Sequence, residues 1–254
     1  MERKNEDRFS NKAEFYKKFR PTYPKELIDY LYSQIGFNSE NVIADIGSGT
    51  GIFSRLLIEQ GSFVYCVEPN EDMRLAGETD LFEFDNFASV NGNDKNTGLP
   101  NANVDFITVA NAIHWFDRQA FKSECQRILK PNGKVVLVWN ERDYENEIVK
   151  KDYIIRAKYA TETAGLGKGK AKYHNYDDFF IDGICEYKEF NNDLQFDKES
   201  FIGRNLSTSY APTEEQHPEK YHGLVCELSE LFDEYSVDGI LNYSHFTQTH
   251  IGRV

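Results

Sequence analysis

An apolar run, Val42 to Ile46, leads straight into the turn Gly47-Ser48-Gly49-Thr50-Gly51, behind which Ile52, Phe53, Leu56 and Leu57 recur at helical spacing. This is strand, glycine turn, helix, and it commits the chain to an α/β unit. Glycines let backbone N–H groups approach a ligand closely, and the helix start behind them favours a negative group. A second run, Phe63 to Val67, ends at Glu68. A carboxylate at the tip of the neighbouring parallel strand can accept hydrogen bonds from both hydroxyls of a ribose.

The glycine spacing separates two cofactor classes. Dinucleotide enzymes use G-x-G-x-x-G, the third glycine lying inside the helix. Here Gly51 comes one position early and Ile52 holds the dinucleotide position. Asp45, just before the turn, is awkward beside a pyrophosphate but suits the ammonium of an amino acid. Asp45-Ile-Gly-Ser-Gly-Thr-Gly51 with Glu68 resembles the first two motifs of the Rossmann-like (class I) S-adenosylmethionine-dependent methyltransferases. Asp45, Gly47, Ser48, Gly49, Gly51 and Glu68 are the expected cofactor contacts.

Further segments resemble small-molecule methyltransferases similar to trans-aconitate methyltransferase. Tyr16-Lys-Lys-Phe-Arg20-Pro-Thr-Tyr23-Pro24 matches their Y-x-x-x-R-P-x-Y-P element. The resemblance puts Tyr16 and Arg20 at the methionine end of the cofactor and Tyr23 towards the substrate. Beyond the third strand, Phe87 to Val90, Asn93 and Asp94 take the adenine-edge positions, where the family more often has an acidic and then a small residue. Ala110-Asn111-Ala-Ile-His114-Trp115-Phe-Asp117, at the tip of the strand Val104 to Val109, matches A-x-A-x-H-W-F-D. Ala110 and Asn111 face the cofactor in this reading, and His114 and Trp115 the substrate. His114 is the candidate catalytic base, set against a structural, hydrogen-bonded histidine. Trp139 and Asn140, at the tip of a fifth strand over 134–140 closed by Arg142, and Tyr210, in Gly203-Arg-Asn-Leu-Ser-Thr-Ser-Tyr210, complete the substrate set.

The expected fold is α/β, a Rossmann-like doubly wound, mainly parallel seven-stranded sheet with an antiparallel last strand. Residues 1–40 form an N-terminal cap, 41–143 the cofactor-binding core, 144–183 an inserted lid and 184–254 the rest of the core sheet. Helices are predicted from Pro24 to Gly36, from Glu71 with Asn70 as N-cap, over 118–129 capped by Asp117, from Tyr144 to about Thr163, and from a Thr213 cap to Tyr235. Single strands are predicted over 184–196 and 240–251, and a basic hinge over 165–172.

With 29 Lys and Arg against 42 Asp and Glu, the net charge of −13 disfavours a nucleic-acid partner. The four cysteines lack C-x-x-C spacing, as expected of free thiols in a reducing, cytoplasmic setting. No secretory leader, membrane span or metal-ligand spacing is evident. The expected activity is in-line methyl transfer from S-adenosylmethionine, leaving S-adenosylhomocysteine, to a small-molecule acceptor without a metal. The alternatives are a protein that binds the cofactor without turnover and a dinucleotide-dependent oxidoreductase.

Overall fold

The computed structural model describes residues 21–162, 166 and 175–254. Helix α1, Lys25–Tyr30, continues into a π-turn, Leu31–Ile35, and stops at Gly36. The predicted apolar face Leu27, Ile28, Leu31 and Ile35 is buried. Strand β1 (Val42–Ile46), helix α2 (Ile52–Ile58), β2 (Phe63–Val67), α3 (Glu71–Leu81) and β3 (Phe87–Val90) follow in alternation. Next come β4 (Val104–Ala110), α4 (Arg118–Ile128), β5 (Leu129–Arg142) and α5 (Glu147–Tyr159). Asn70 and Asp117 cap α3 and α4 as predicted, accepting from the Met73 and Ala120 N–H groups.

The seven-stranded sheet has the order β3-β2-β1-β4-β5-β9-β6, with β6 at Glu186–Asn191 and β9 at His245–Gly252. Strands β1 to β5 pair in parallel, and β9 runs antiparallel to both of its neighbours. The chain reverses its direction of travel between β1 and β4, and the carboxyl ends of such strands form the crevice where ligands bind. The period of two along β5 builds two cores at once. Val136 and Val138 pack with Leu27, Phe53 and Leu57 on one face, while Val135 and Leu137 pack with Phe121, Cys125 and Ile128 on the other. These four β5 side chains are fully buried, each contributing about 1.5–3 kcal/mol.

Three expectations need correction. First, β5 begins at Leu129, opposite Val104, but Lys134 pairs next with Phe106. Residues 130–133 loop out between them, with Asn132 at φ 69°, so the strand expected over 134–140 reaches back to Leu129 across an interruption. Second, the strands expected over 184–196 and 240–251 each break in two. Short strands β7 (Leu194–Phe196) and β8 (Leu241–Tyr243) pair as a separate ribbon. Polar side chains take over at the bend: Asp193 accepts from the His245 N–H at 3.0 Å, and Asn192 donates to Thr247 Oγ1 at 3.1 Å. Third, Thr213 accepts from the Gln216 N–H at 3.4 Å in a preceding turn. The last helix, α7 (Pro218–Tyr235), starts instead at a proline in its first turn, where the missing N–H costs nothing.

Packing also groups elements that lie on both sides of the boundary expected at 183/184. Helix α5, the ribbon, helix α6 (Lys198–Leu206) and α7 share a third core of Val149, Phe196, Phe201, Leu228, Phe232 and Tyr243. Only β6 and β9 of the stretch 184–254 join the main sheet. The 1–20 part of the cap and most of the 165–172 hinge lie outside the described residues.

Candidate active site

A cavity of about 580 Å³ opens at the carboxyl ends of β1, β2, β4 and β5. At one end is the glycine turn. Gly47 and Ser48 donate their N–H groups to the Val67 carbonyl, at 2.8 and 3.2 Å, tying the turn to β2. Gly47 sits at φ 71°, and a Cβ there would lie 2.7 Å from Ala112 Cβ, so only glycine fits. A Cβ on Gly49 would meet nothing within 4 Å. The Gly49 N–H donates to Glu68 Oε2 and the Asn70 N–H to Oε1, both at 2.9 Å. Each carboxylate oxygen keeps capacity for a further donor. Burial pushes the Glu68 carboxyl up from its ordinary value, partly offset by these two N–H groups.

Asp45 lies at the floor, 1% exposed, accepting from Ser54 Oγ at 2.6 Å and Thr108 Oγ1 at 2.8 Å. Burial outweighs both hydroxyls and raises its pKa to about 6. The buried Thr50 hydroxyl lines the cavity with no hydrogen-bond partner. An open glycine face, an unmatched hydroxyl and a two-sided carboxylate fit a polar, ribose-bearing ligand.

The tips of β4 and β5 form the next wall. Asn111, in the left-handed region at φ 54°, donates from Nδ2 to Tyr23 Oη at 3.0 Å and accepts the Asn140 N–H at 2.9 Å. It therefore stitches the cap segment to both strand tips. Tyr23 stands edge-on to Phe53 at 4.9 Å. Ala110 lines the wall beside them, as do Asn93 and Asp94 across the cavity. The Asn93 side chain accepts from Lys95 and Asn96 N–H groups, and Asp94 accepts the Asp117 N–H at 2.9 Å. His114 rides exposed on a short 3-10 turn, Ile113–Trp115, its ring 4.5 Å from Trp115 and 5.2 Å from Trp139. Trp139 is buried and donates Nε1 to Tyr176 Oη at 2.6 Å. Asn140 is held by Thr247 Oγ1 at 2.6 Å and reaches the Thr22 carbonyl at 3.2 Å.

The structure therefore brings Asp45, Gly47, Ser48, Gly49, Glu68, Asn93, Asp94, Ala110, Asn111, Tyr23, His114, Trp115, Trp139, Asn140 and Tyr210 to one cavity. Gly51 lies behind it: a Cβ there would meet Leu81 at 3.1 Å, so this glycine serves helix packing. Tyr16 and Arg20 fall outside the described residues. Among the described residues no cluster of His, Cys, Asp and Glu is arranged to hold a metal ion. Nor is any helix there long and apolar enough to cross a membrane.

Sequence reasoning placed Tyr210 at the far end but missed the charged network around it. Arg142, Arg204 and His245 line that end beside Tyr210, backed by Asp152, Arg156 and Tyr243. Arg156 Nε bonds Asp152 Oδ2 at 2.9 Å and its Nη1 donates to Tyr210 Oη at 2.8 Å. Tyr243 Oη donates to Asp152 at 2.6 Å. Burial alone would raise the Asp152 carboxyl, but Arg156 and Arg142 hold it below the usual value. Burial and then Arg142 push the Arg204 guanidinium down to about 10. One signal was available. Val149, Asp152 and Arg156 share the buried face of α5, and Arg204 lies on the buried side of α6 with Phe201 and Asn205. Charges on an apolar helix face mark an internal network.

Comparison with known proteins agrees with this geometry. A family description, "Methyltransferase domain", matches residues 44–137, which span β1 through most of β5. A protein of Dictyostelium discoideum named as a methyltransferase is 29% identical over 180 residues, 70% of this chain and 66% of its own length. An uncharacterized methyltransferase of Mycobacterium tuberculosis (strain H37Rv) is 33% identical over 135 residues, 53% of each chain. The matches thus span about half to two thirds of these relatives' length. Among solved structures, one from Anaeromyxobacter dehalogenans named as a type II methyltransferase superposes with a TM-score of 0.66. It is 20% identical and covers 92% of this chain and 98% of its own. The YcgJ protein of Bacillus subtilis gives 0.57 at 17% identity, covering 91% and 100%. The chain thus carries a match to a methyltransferase domain across the strands that build the cavity, on the Rossmann-like sheet topology that it shares with the solved structures.

Proposed function

We propose that this protein transfers a methyl group from S-adenosylmethionine to a small-molecule acceptor within the cavity at the strand tips. The observation that carries the reading is continuity. One continuous cavity joins the glycine turn and Glu68 to Trp139, Asn140 and Tyr210, and its volume of about 580 Å³ is of the order of small-ligand sites. The cofactor, when bound, supplies an activated methyl group on a sulfonium. Glu68 holds the ribose, the N–H groups of the turn face the polar chain, and Asp45 offsets positive charge. Trp115, Phe116 and Trp139 wall the middle, excluding water and offering ring faces to a cation. Tyr23, Asn111 and Asn140 are fixed to one another, so the acceptor meets a preorganised wall. A hydroxyl acceptor needs a proton acceptor, for which His114 at the mouth is placed; a carboxylate needs none. Free thiols at Cys66 and Cys125 are in keeping with a reducing, cytoplasmic setting.

The test is incubation with methyl-labelled S-adenosylmethionine and a small-metabolite extract. The expected result is S-adenosylhomocysteine together with a labelled product. Tight binding of both cofactor forms without any product would favour a binding protein instead.

A further inference from the structure

The far end of the cavity carries more positive charge than the fold needs. Three guanidinium groups, from Arg142, Arg156 and Arg204, face the Asp152 carboxylate. Asp152 accepts from Arg156 at 2.9 Å and pairs more loosely with Arg142 Nε, 3.8 Å away, so one carboxylate is shared among three guanidinium groups. Arg142 Nε and Arg204 Nη1 have no hydrogen-bond partner, although Arg204 is only 4% exposed. Arg204 lies between the rings of Phe196 and Tyr243, at 5.4 and 4.9 Å, which hold it in place without neutralising it. His245, paired with Arg142 across β5 and β9, presents a buried Nδ1 that is likewise unpartnered. Arg142, Arg204 and His245 all line the cavity. Glu141, the neighbour of Arg142 on β5, lines it too and has partners of its own.

Buried guanidinium groups left unmatched are costly, and a fold retains them where a ligand supplies the missing charge. We propose that Arg142 and Arg204, with His245, form an oxyanion site for the acceptor, which is therefore a small organic anion bearing a carboxylate or a phosphate. The planar forks of the two arginines suit either group. The inference rests on the methyl-transfer reading only in naming the anion as the acceptor; the site itself is independent of the cofactor.

The experiment is calorimetric titration of the protein saturated with S-adenosylhomocysteine, using succinate, glycerol 3-phosphate and the uncharged succinamide. It is repeated with Arg204→Met and Arg204→Lys. The expected result is that at least one anion binds while succinamide does not. Its affinity should fall tenfold or more in Arg204→Met and recover in part in Arg204→Lys, with S-adenosylhomocysteine affinity unchanged throughout. Carboxylate or phosphate is then assigned by whichever probe binds. The proposal is overturned if neither anion binds the wild type, if succinamide binds equally well, or if Arg204→Met binds like the wild type. A folding defect in Arg204→Met would show as a lowered Tm; the proposal expects an equal or higher Tm, since the substitution removes an unmatched buried charge. Failure of S-adenosylhomocysteine to bind the wild type would instead sink the cofactor assignment, and the same anions titrated into the unliganded protein would still decide this site.

Discussion

Replacing Glu68 with Gln tests the cofactor end most directly. The carboxylate has two duties, since it anchors the Gly49 and Asn70 N–H groups at 2.9 Å each and is assigned the ribose hydroxyls. Glutamine keeps one acceptor oxygen. Its amide must then point at one of the two backbone N–H groups, setting donor against donor. Two hydrogen bonds to a charged group correspond to about 2–4 kcal/mol of binding. The Kd for S-adenosylhomocysteine should therefore rise by about 30-fold to about 900-fold. The protein itself should lose less, because Glu68 is buried and its charge is already disfavoured there. Calorimetry measures the affinity and thermal unfolding the stability. An analogue lacking both ribose hydroxyls separates the two duties. If Glu68 holds the ribose, that analogue should bind wild type and Glu68→Gln with nearly equal affinity, in the manner of a double-mutant cycle. A wild-type Kd for S-adenosylhomocysteine in Glu68→Gln would refute the ribose assignment. So would an equal loss for both ligands, which would mean that the turn alone had been damaged.

Gly47→Ala should abolish cofactor binding and lower stability by about 2–4 kcal/mol, because it combines a left-handed φ of 71° with a 2.7 Å clash against Ala112; denaturant unfolding measures this. Asp45, held at about pKa 6 by burial, should lose its proton when the cationic cofactor binds, so affinity should rise with pH between about 5 and 7. Calorimetry at pH 6 in buffers of different ionisation heat would detect proton release, and none would place the cation elsewhere. In the unliganded protein the raised value makes protonation favour the fold, a contribution that appears below pH 6 and is complete below the ordinary value of 3.8. His114→Ala should leave cofactor affinity within about twofold. If a hydroxyl is the acceptor, kcat should fall by about 100-fold or more at saturating cofactor.

Local signals carried most of the cofactor end. The turn at Gly47, the acid at the tip of β2, and the caps Asn70 and Asp117 are each set by a few adjacent residues and elementary backbone chemistry. The far end of the cavity is built differently. Arg142 comes from a strand tip, Asp152 and Arg156 from α5, Arg204 and Tyr210 from α6 and the turn after it, and His245 from β9. Apart from Asp152 and Arg156, four apart on one face of α5, no spacing relates them, and the packing of α5, α6 and the ribbon brings them together. The strand breaks at Asn192–Asp193 and Ser244 were hidden for the same reason. The side chains that cause them bond across the sheet to Thr247, His245 and Asp143. Gly51 fits the sequence motif, yet its neighbours Leu81 and Gly77 give it a packing role.

The placement of β9 between β5 and β6 bears on how the molecule is made. A ribosome delivers β1 to β5 in order, and each can join the growing parallel sheet as it emerges. The open side of β5, with Val135 to Val138 along it, then waits while α5, β6, α6 and α7 are synthesised. An unpaired apolar edge held open for that long is a template for wrong pairing, and it is closed only by the last strand described here. That final zipping also sets Arg142 opposite His245. A nascent chain can thus hold a finished glycine turn before Arg142 and His245 face each other.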